Sequence, residues 1–201
     1  MSKQKIASKD LISIGLFGVL MFIVENIVSI VLSPVTLYIL PLVSGVCTFF
    51  LAIIYLLLSF KVGKKWTLTL MGAILGVFYM LMGVPVMLPF CVISGLIAEA
   101  TLLKGDGTQY RNFSRQALAY SVYGTLYGLG TYVIAFLFGK TYFEAVHYSS
   151  EMIGKIFYFL SSPLWMVLGI ICSFVLTYLG MLFGRTILKK HFVKSGYIKE
   201  F

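Results

Sequence analysis

Charge, histidine and cysteine are all scarce in this chain, and each scarcity closes off a class of chemistry. Asp, Glu, Lys and Arg make up 11% of the 201 residues, against 60% hydrophobic ones, and mean hydropathy is +0.98. A water-soluble surface needs far more charge, so the composition is that of an integral membrane protein. The three cysteines, Cys47, Cys91 and Cys172, stand in separate apolar runs without CxxC spacing or histidine neighbours. They read as packing residues. The two histidines, His147 and His191, are expected on opposite sides of the membrane and so cannot share a metal ion. Neither HExxH nor GxSxG occurs, which argues against an intramembrane metalloprotease or a nucleophile elbow. The "GKT" at residues 139–141 resembles the end of a phosphate loop, but Ile134 stands where that loop's first glycine belongs. No ATP hydrolysis, cofactor or metal is therefore expected of this chain itself.

What is abundant is apolar sequence in runs long enough to cross about 30 Å of hydrocarbon as helix. The runs predict an all-α, polytopic fold with six transmembrane helices near residues 11–32, 37–60, 66–83, 86–103, 117–138 and 163–188. The first run exceeds a typical signal-peptide core and no small-x-small site follows it, so it is expected to stay as the first helix. Pro34 and Pro85 mark tight connections, and Pro41 and Pro89 sit just inside helix starts, where a missing amide costs least. "SSP" at residues 161–163 offers a serine cap with proline in the first turn. No polar stretch is long enough to enclose a core of its own, so residues 1–201 read as one membrane domain.

Alternating the connections between two sides divides the sixteen basic residues unevenly. Lys3, Lys5 and Lys9, then Lys61, Lys64 and Lys65, then Lys104, Arg111 and Arg115, then Arg185, Lys189, Lys190, Lys194 and Lys199 share one side; only Lys140 and Lys155 fall opposite. The positive-inside rule places both termini in the cytoplasm. A basic inner rim explains the net charge of +9 without nucleic acid. Outside lie two very short connections and a long one at residues 139–162, whose second half is apolar enough to lie in the interface or fold back over the bundle. No internal repeat is visible, so an inverted-repeat transporter is not supported.

Few residues offer chemistry. Glu25 and Asn26 fall in the outer half of the first span, where an ionisable group needs a partner or a cavity. Two roles are open to Glu25, tying helices together or lining a ligand pocket. Glu99, near the inner end of the fourth span and within reach of Lys104 or the inner surface, reads as structural. "YSVYGTLYGLGTY" sets Tyr120, Tyr123 and Tyr127 on one helical face, as packing or as a stacking wall for a flat ligand. Gly72/Gly76, Gly124/Gly128 and Gly180/Gly184 form GxxxG spacings that let helices approach closely. The long outer connection adds Glu144, His147 and Tyr148 to the candidate pocket. Such a pocket, tyrosine-lined and partly acidic, suits an aromatic or cationic vitamin-like compound, or a porphyrin or metal complex.

The tail "LKKHFVKSGYI" resembles the closing signature of the Trep_Strep family of small bacterial membrane proteins, a Lys-Lys-His-Phe-x-Lys-Ala-Gly pattern, with Ser195 where alanine is usual. "KDLISIGLFGVL" and "GLIAEA" are similar to that family as well, so the resemblance spans nearly the whole chain. The family in turn resembles the substrate-binding S components of energy-coupling factor transporters, six-helix proteins with cytoplasmic termini. The resemblance implies capture of a scarce micronutrient outside the cell membrane and its delivery inward by toppling. Energy would come from ATP used by partners, a transmembrane coupling subunit and two cytoplasmic ATPases. In S components the first helix docks on the coupling subunit through an AxxxA-like face. Here the nearest small residues are Ser13, Gly15 and Gly18, which serve that docking or else pack the protein's own helices. A structural or regulatory subunit without a small ligand is the alternative reading.

Overall fold

The computed structural model describes residues 5–190, so the tail signature beyond Lys190, with His191 and Ser195, lies outside the described residues. Among these, eight α-helices are present: α1 (Ser8–Leu32), α2 (Thr36–Val62), α3 (Thr67–Leu81), α4 (Met87–Ala100), α5 (Phe113–Gly128), α6 (Gly130–Ala145), α7 (Ser150–Leu160) and α8 (Pro163–Leu188), with a short 3-10 turn at Thr108–Arg111. The all-α expectation holds. The count of six transmembrane helices does not.

Two features correct it. First, α5 and α6 run on from one another across Leu129, so that Phe113–Ala145 forms one 33-residue apolar stretch and the described residues make seven rods. Four stretches, α1, α2, α5 with α6, and α8, are long and apolar enough to cross a membrane. Second, α3 and α4 have only 15 and 14 residues, or about 21 to 22 Å of helix at 1.5 Å per residue. Their apolar runs looked longer because hydropathy does not register where a helix stops. Met82, Val84 and Val86 are apolar but belong to the turn, which Gly83 (φ +91°) and Pro85 enforce. The long outer connection is likewise mostly helix. α6 reaches Ala145, and α7 folds back with Ile153, Ile156 and Phe159 buried, as its apolar spacing allowed.

Contacts between elements close a ring in the order α1, α2, α8, α5, α4, α3 and back to α1, while α2 and α5 also meet across its middle. Backbones touch where side chains vanish: a Cβ on Gly180 of α8 would lie 2.7 Å from the Phe49 Cα of α2, and one on Gly72 of α3 would lie 2.8 Å from the Cys91 carbonyl oxygen of α4. Small hydroxyls complete the α2–α8 seam, with Thr48 and Thr177 oxygens 2.6 Å apart and those of Ser44 and Ser173 3.1 Å apart. At the centre Tyr55 stacks on Tyr120 at 4.2 Å between centroids and donates a 2.5 Å hydrogen bond to Gln116 Oε1.

The two ends of the bundle differ. At one, Lys64 pairs with Asp10 at 2.6 Å, the Arg115 guanidinium reaches the Thr101 carbonyl at 3.5 Å, and Arg185 lies 4.5 Å over the Phe113 ring. Glu99, at the end of α4, accepts from the backbone amides of Trp66 (2.8 Å), Leu68 (3.1 Å) and Thr69 (3.3 Å). Its partner is therefore the first turn of α3, not Lys104 or the inner surface. The carboxylate satisfies amides that a helix start leaves free and sits at the favourable end of the dipole. Trp66, which donates to it, has φ +74°, a conformation uncommon outside glycine. The opposite end, where α6 and α7 pack, carries the cavity described next.

Candidate functional site

A cavity of about 210 Å³ opens among α1, the start of α2, the α3–α4 turn and both arms of the α5–α6 rod. Every one of these contributions comes from the end remote from Lys64, Glu99 and Arg185. The helix break at Leu129, between Gly128 and Gly130, brings Thr131 and Tyr132 of α6 around the same space that Tyr127 of α5 reaches. Gly139, with φ +65° inside α6, lets the chain turn so that Tyr142, Phe143 and Val146 line the cavity from above.

Glu25 is the charged residue at its wall, and it is 3% exposed. Tyr127 donates a short hydrogen bond to Glu25 Oε1, and the Tyr127 hydroxyl is itself bonded to that of Tyr79. Three helices, α1, α3 and α5, are thus linked through the Tyr127 hydroxyl. The other oxygen, Oε2, is buried without a partner, and so are the hydroxyls of Tyr132 and Tyr142. Buried polar atoms are normally satisfied, because each one left unpaired costs about 1–3 kcal/mol. Three such atoms belong to residues that line this one cavity.

The residues singled out from sequence are divided by the structure. Glu25 and Tyr127 line the cavity. Tyr120 and Tyr123 continue the stack below it, with centroids 6.1 and 6.2 Å apart along Tyr120, Tyr123 and Tyr127, but both are buried in the core and do not reach the cavity. Asn26 turns back to its own helix, its amide donating to the Phe22 carbonyl at 2.8 Å. Glu144 and His147 line a more open groove together with Lys140, and Tyr148 borders both groove and cavity. Tyr79, Tyr132 and Tyr142 were not picked out in the sequence. The signal for Tyr132 was present, since it ends the same tyrosine-rich segment, whereas Tyr79 and Tyr142 join the site only through tertiary packing.

The small residues of α1 also separate. A Cβ on Gly15 would meet nothing within 4 Å, while one on Gly18 would lie 2.6 Å from Ile74 Cγ2 of α3. Ser13 is half-buried and bonds the Lys9 carbonyl of its own helix at 3.0 Å. Gly18 therefore packs the bundle, and Gly15 faces outward beside the exposed Ile12 and Leu16. Among the described residues no group of three or more His, Cys, Asp or Glu side chains comes together as a metal site would require.

A family model described as a hypothetical bacterial integral membrane protein (Trep_Strep) matches residues 8–194. No curated protein and no solved structure matches the chain.

Proposed function

The chain belongs to the Trep_Strep family of bacterial integral membrane proteins, and from that premise we propose that it is the substrate-binding S component of an energy-coupling factor transporter. On this reading it takes up a small micronutrient on the outer face and delivers it inward with a coupling subunit and two ATPases, performing no covalent chemistry itself. The observation that carries the reading is the set of unpaired buried groups, Glu25 Oε2 with the Tyr132 and Tyr142 hydroxyls, around a cavity at one end of the bundle. The Tyr120 and Tyr123 hydroxyls are also unpaired, dispersed in the core, but Glu25, Tyr132 and Tyr142 share one cavity that a guest could enter. The basic residues collect at the other end, which the positive-inside rule assigns to the cytoplasm. The cavity then faces outward. Gly15, open on the surface of α1, supplies a flat place for the coupling subunit's helix to approach.

Purification of the tagged full chain from its native membrane in mild detergent tests this. The expected preparation carries a bound small molecule and brings down one further multi-span protein with two ATPases. Recovery in a stoichiometric membrane complex that lacks both an ATPase and a bound small molecule would overturn the proposal in favour of a structural or regulatory subunit.

A further inference from the structure

The cavity's chemistry narrows its guest, given the solute-binding reading above on which this step rests. We infer that the ligand is a compact organic cation bearing at least one N–H donor, an ammonium or a protonated nitrogen heterocycle, bound by Glu25 Oε2.

The cavity wall has a carboxylate but no lysine, arginine or histidine. An anionic guest would share a desolvated space with a like charge and no counter-charge, which the low dielectric there punishes. A neutral guest can donate a hydrogen bond to the carboxylate but brings no counter-charge to it. A cation supplies that charge, and a cation with an N–H does so at the one atom that lacks a donor, through a charge-assisted hydrogen bond. Quaternary ammonium compounds have no such hydrogen to give. Five tyrosines, Tyr79, Tyr127, Tyr132, Tyr142 and Tyr148, line the site, a residue type whose ring faces attract cations, and the unpaired Tyr132 and Tyr142 hydroxyls can each donate or accept.

A cavity of about 210 Å³ suits a compact guest. Its lining also includes the apolar side chains of Val84, Met87 and Ile134, which suit the ring or alkyl part of such a cation.

Three probes of one shape and different charge test the inference on the purified full chain in lipid nanodiscs: benzylammonium, benzyl alcohol and benzoate, titrated by ligand-observed NMR. Benzylammonium should bind at least about tenfold more tightly than benzyl alcohol, as a charge-assisted bond to a buried acceptor implies, and benzoate should bind more weakly still. In Glu25→Gln the preference for the ammonium should fall to within about twofold. Equal binding of the ammonium and the alcohol, or preferred binding of benzoate, overturns the inference. The wild-type ranking decides even if Glu25→Gln does not fold. Any molecule extracted from the native preparation is identified alongside. A neutral or anionic one overturns the cation and leaves the S-component reading standing, whereas no extracted molecule together with no probe binding removes both.

Discussion

Replacing Glu99 tests whether a carboxylate on one helix is what starts another. In Glu99→Leu the amides of Trp66, Leu68 and Thr69 lose their acceptor at 2.8, 3.1 and 3.3 Å, in a site where the side chain is 1% exposed. Backbone N–H donors left there without an acceptor cost about 1–3 kcal/mol each, and hydrogen bonds to a charged group contribute about 1.5–3 kcal/mol. Relaxation of the first turn recovers part of this, so a net loss of about 2–4 kcal/mol is expected. For a chain of this length that lowers the melting temperature by roughly 4 to 16 °C. Glu99→Gln keeps one acceptor oxygen but turns an NH2 group toward a donor, so it should fall between wild type and leucine. Lys104→Ala should change nothing. The assay is a thermal melt of all four proteins in the same detergent, with ligand binding measured on the folded fraction. Binding should be unaltered, because the cavity lies at the other end of the bundle. A Glu99→Gln protein as stable as wild type, or a Lys104→Ala protein as unstable as Glu99→Gln, would refute the capping role.

Three further outcomes are expected. Tyr127→Phe removes the donor to Glu25 Oε1 and should destabilise the protein by about 1–3 kcal/mol; Tyr120→Phe, which deletes a buried hydroxyl without a partner, should be neutral or stabilising, and matching losses in the two melts would contradict the assignment. Gly15→Leu should leave folding and ligand binding intact while weakening association with the coupling subunit in co-purification, whereas Gly18→Leu, forced against Ile74, should lower stability of the isolated chain; the reverse pattern would exchange the two roles. In a background without native cysteines, an impermeant thiol reagent applied to intact cells should label Ser149→Cys and spare Ser195→Cys, and the opposite labelling would invert the orientation.

How much of this was legible in the sequence depends on what each feature rests on. The helices and their glycine seams are local matters. Apolar run length located α1, α2 and α8 to within a few residues, and GxxxG spacing flagged Gly72 and Gly180, which the structure sets against neighbouring backbone. The lengths of α3 and α4 were hidden because their turn residues are as apolar as their helices. The break at Leu129 was hidden because a single non-proline residue ends one helix and begins the next without a polar marker. At the site, Glu25 was visible through the cost of placing a carboxylate in a span. Its partners were not, since Tyr79 and Tyr127 lie 54 and 102 positions away along the chain and only the folded ring brings them together.

Glu25 and Glu99 pose the same problem to the fold and receive different solutions, and the difference separates scaffold from site. Both are buried carboxylates, 3% and 1% exposed, and both would be costly without partners. Around Glu99 the fold supplies a donor to each oxygen, all from backbone that cannot be displaced without unwinding α3. Such a group has no capacity left for a guest. Around Glu25 the fold supplies a donor to one oxygen, from a phenol bonded to Tyr79, and leaves the other unpaired on a residue that lines a cavity, where the Tyr132 and Tyr142 hydroxyls are also unpaired. Sequence position gave both residues the same rarity, an acid within an apolar helix. Hydrogen-bond saturation tells them apart: Glu99 is complete without a ligand, and the unpaired oxygen of Glu25 is what the proposed binding role requires.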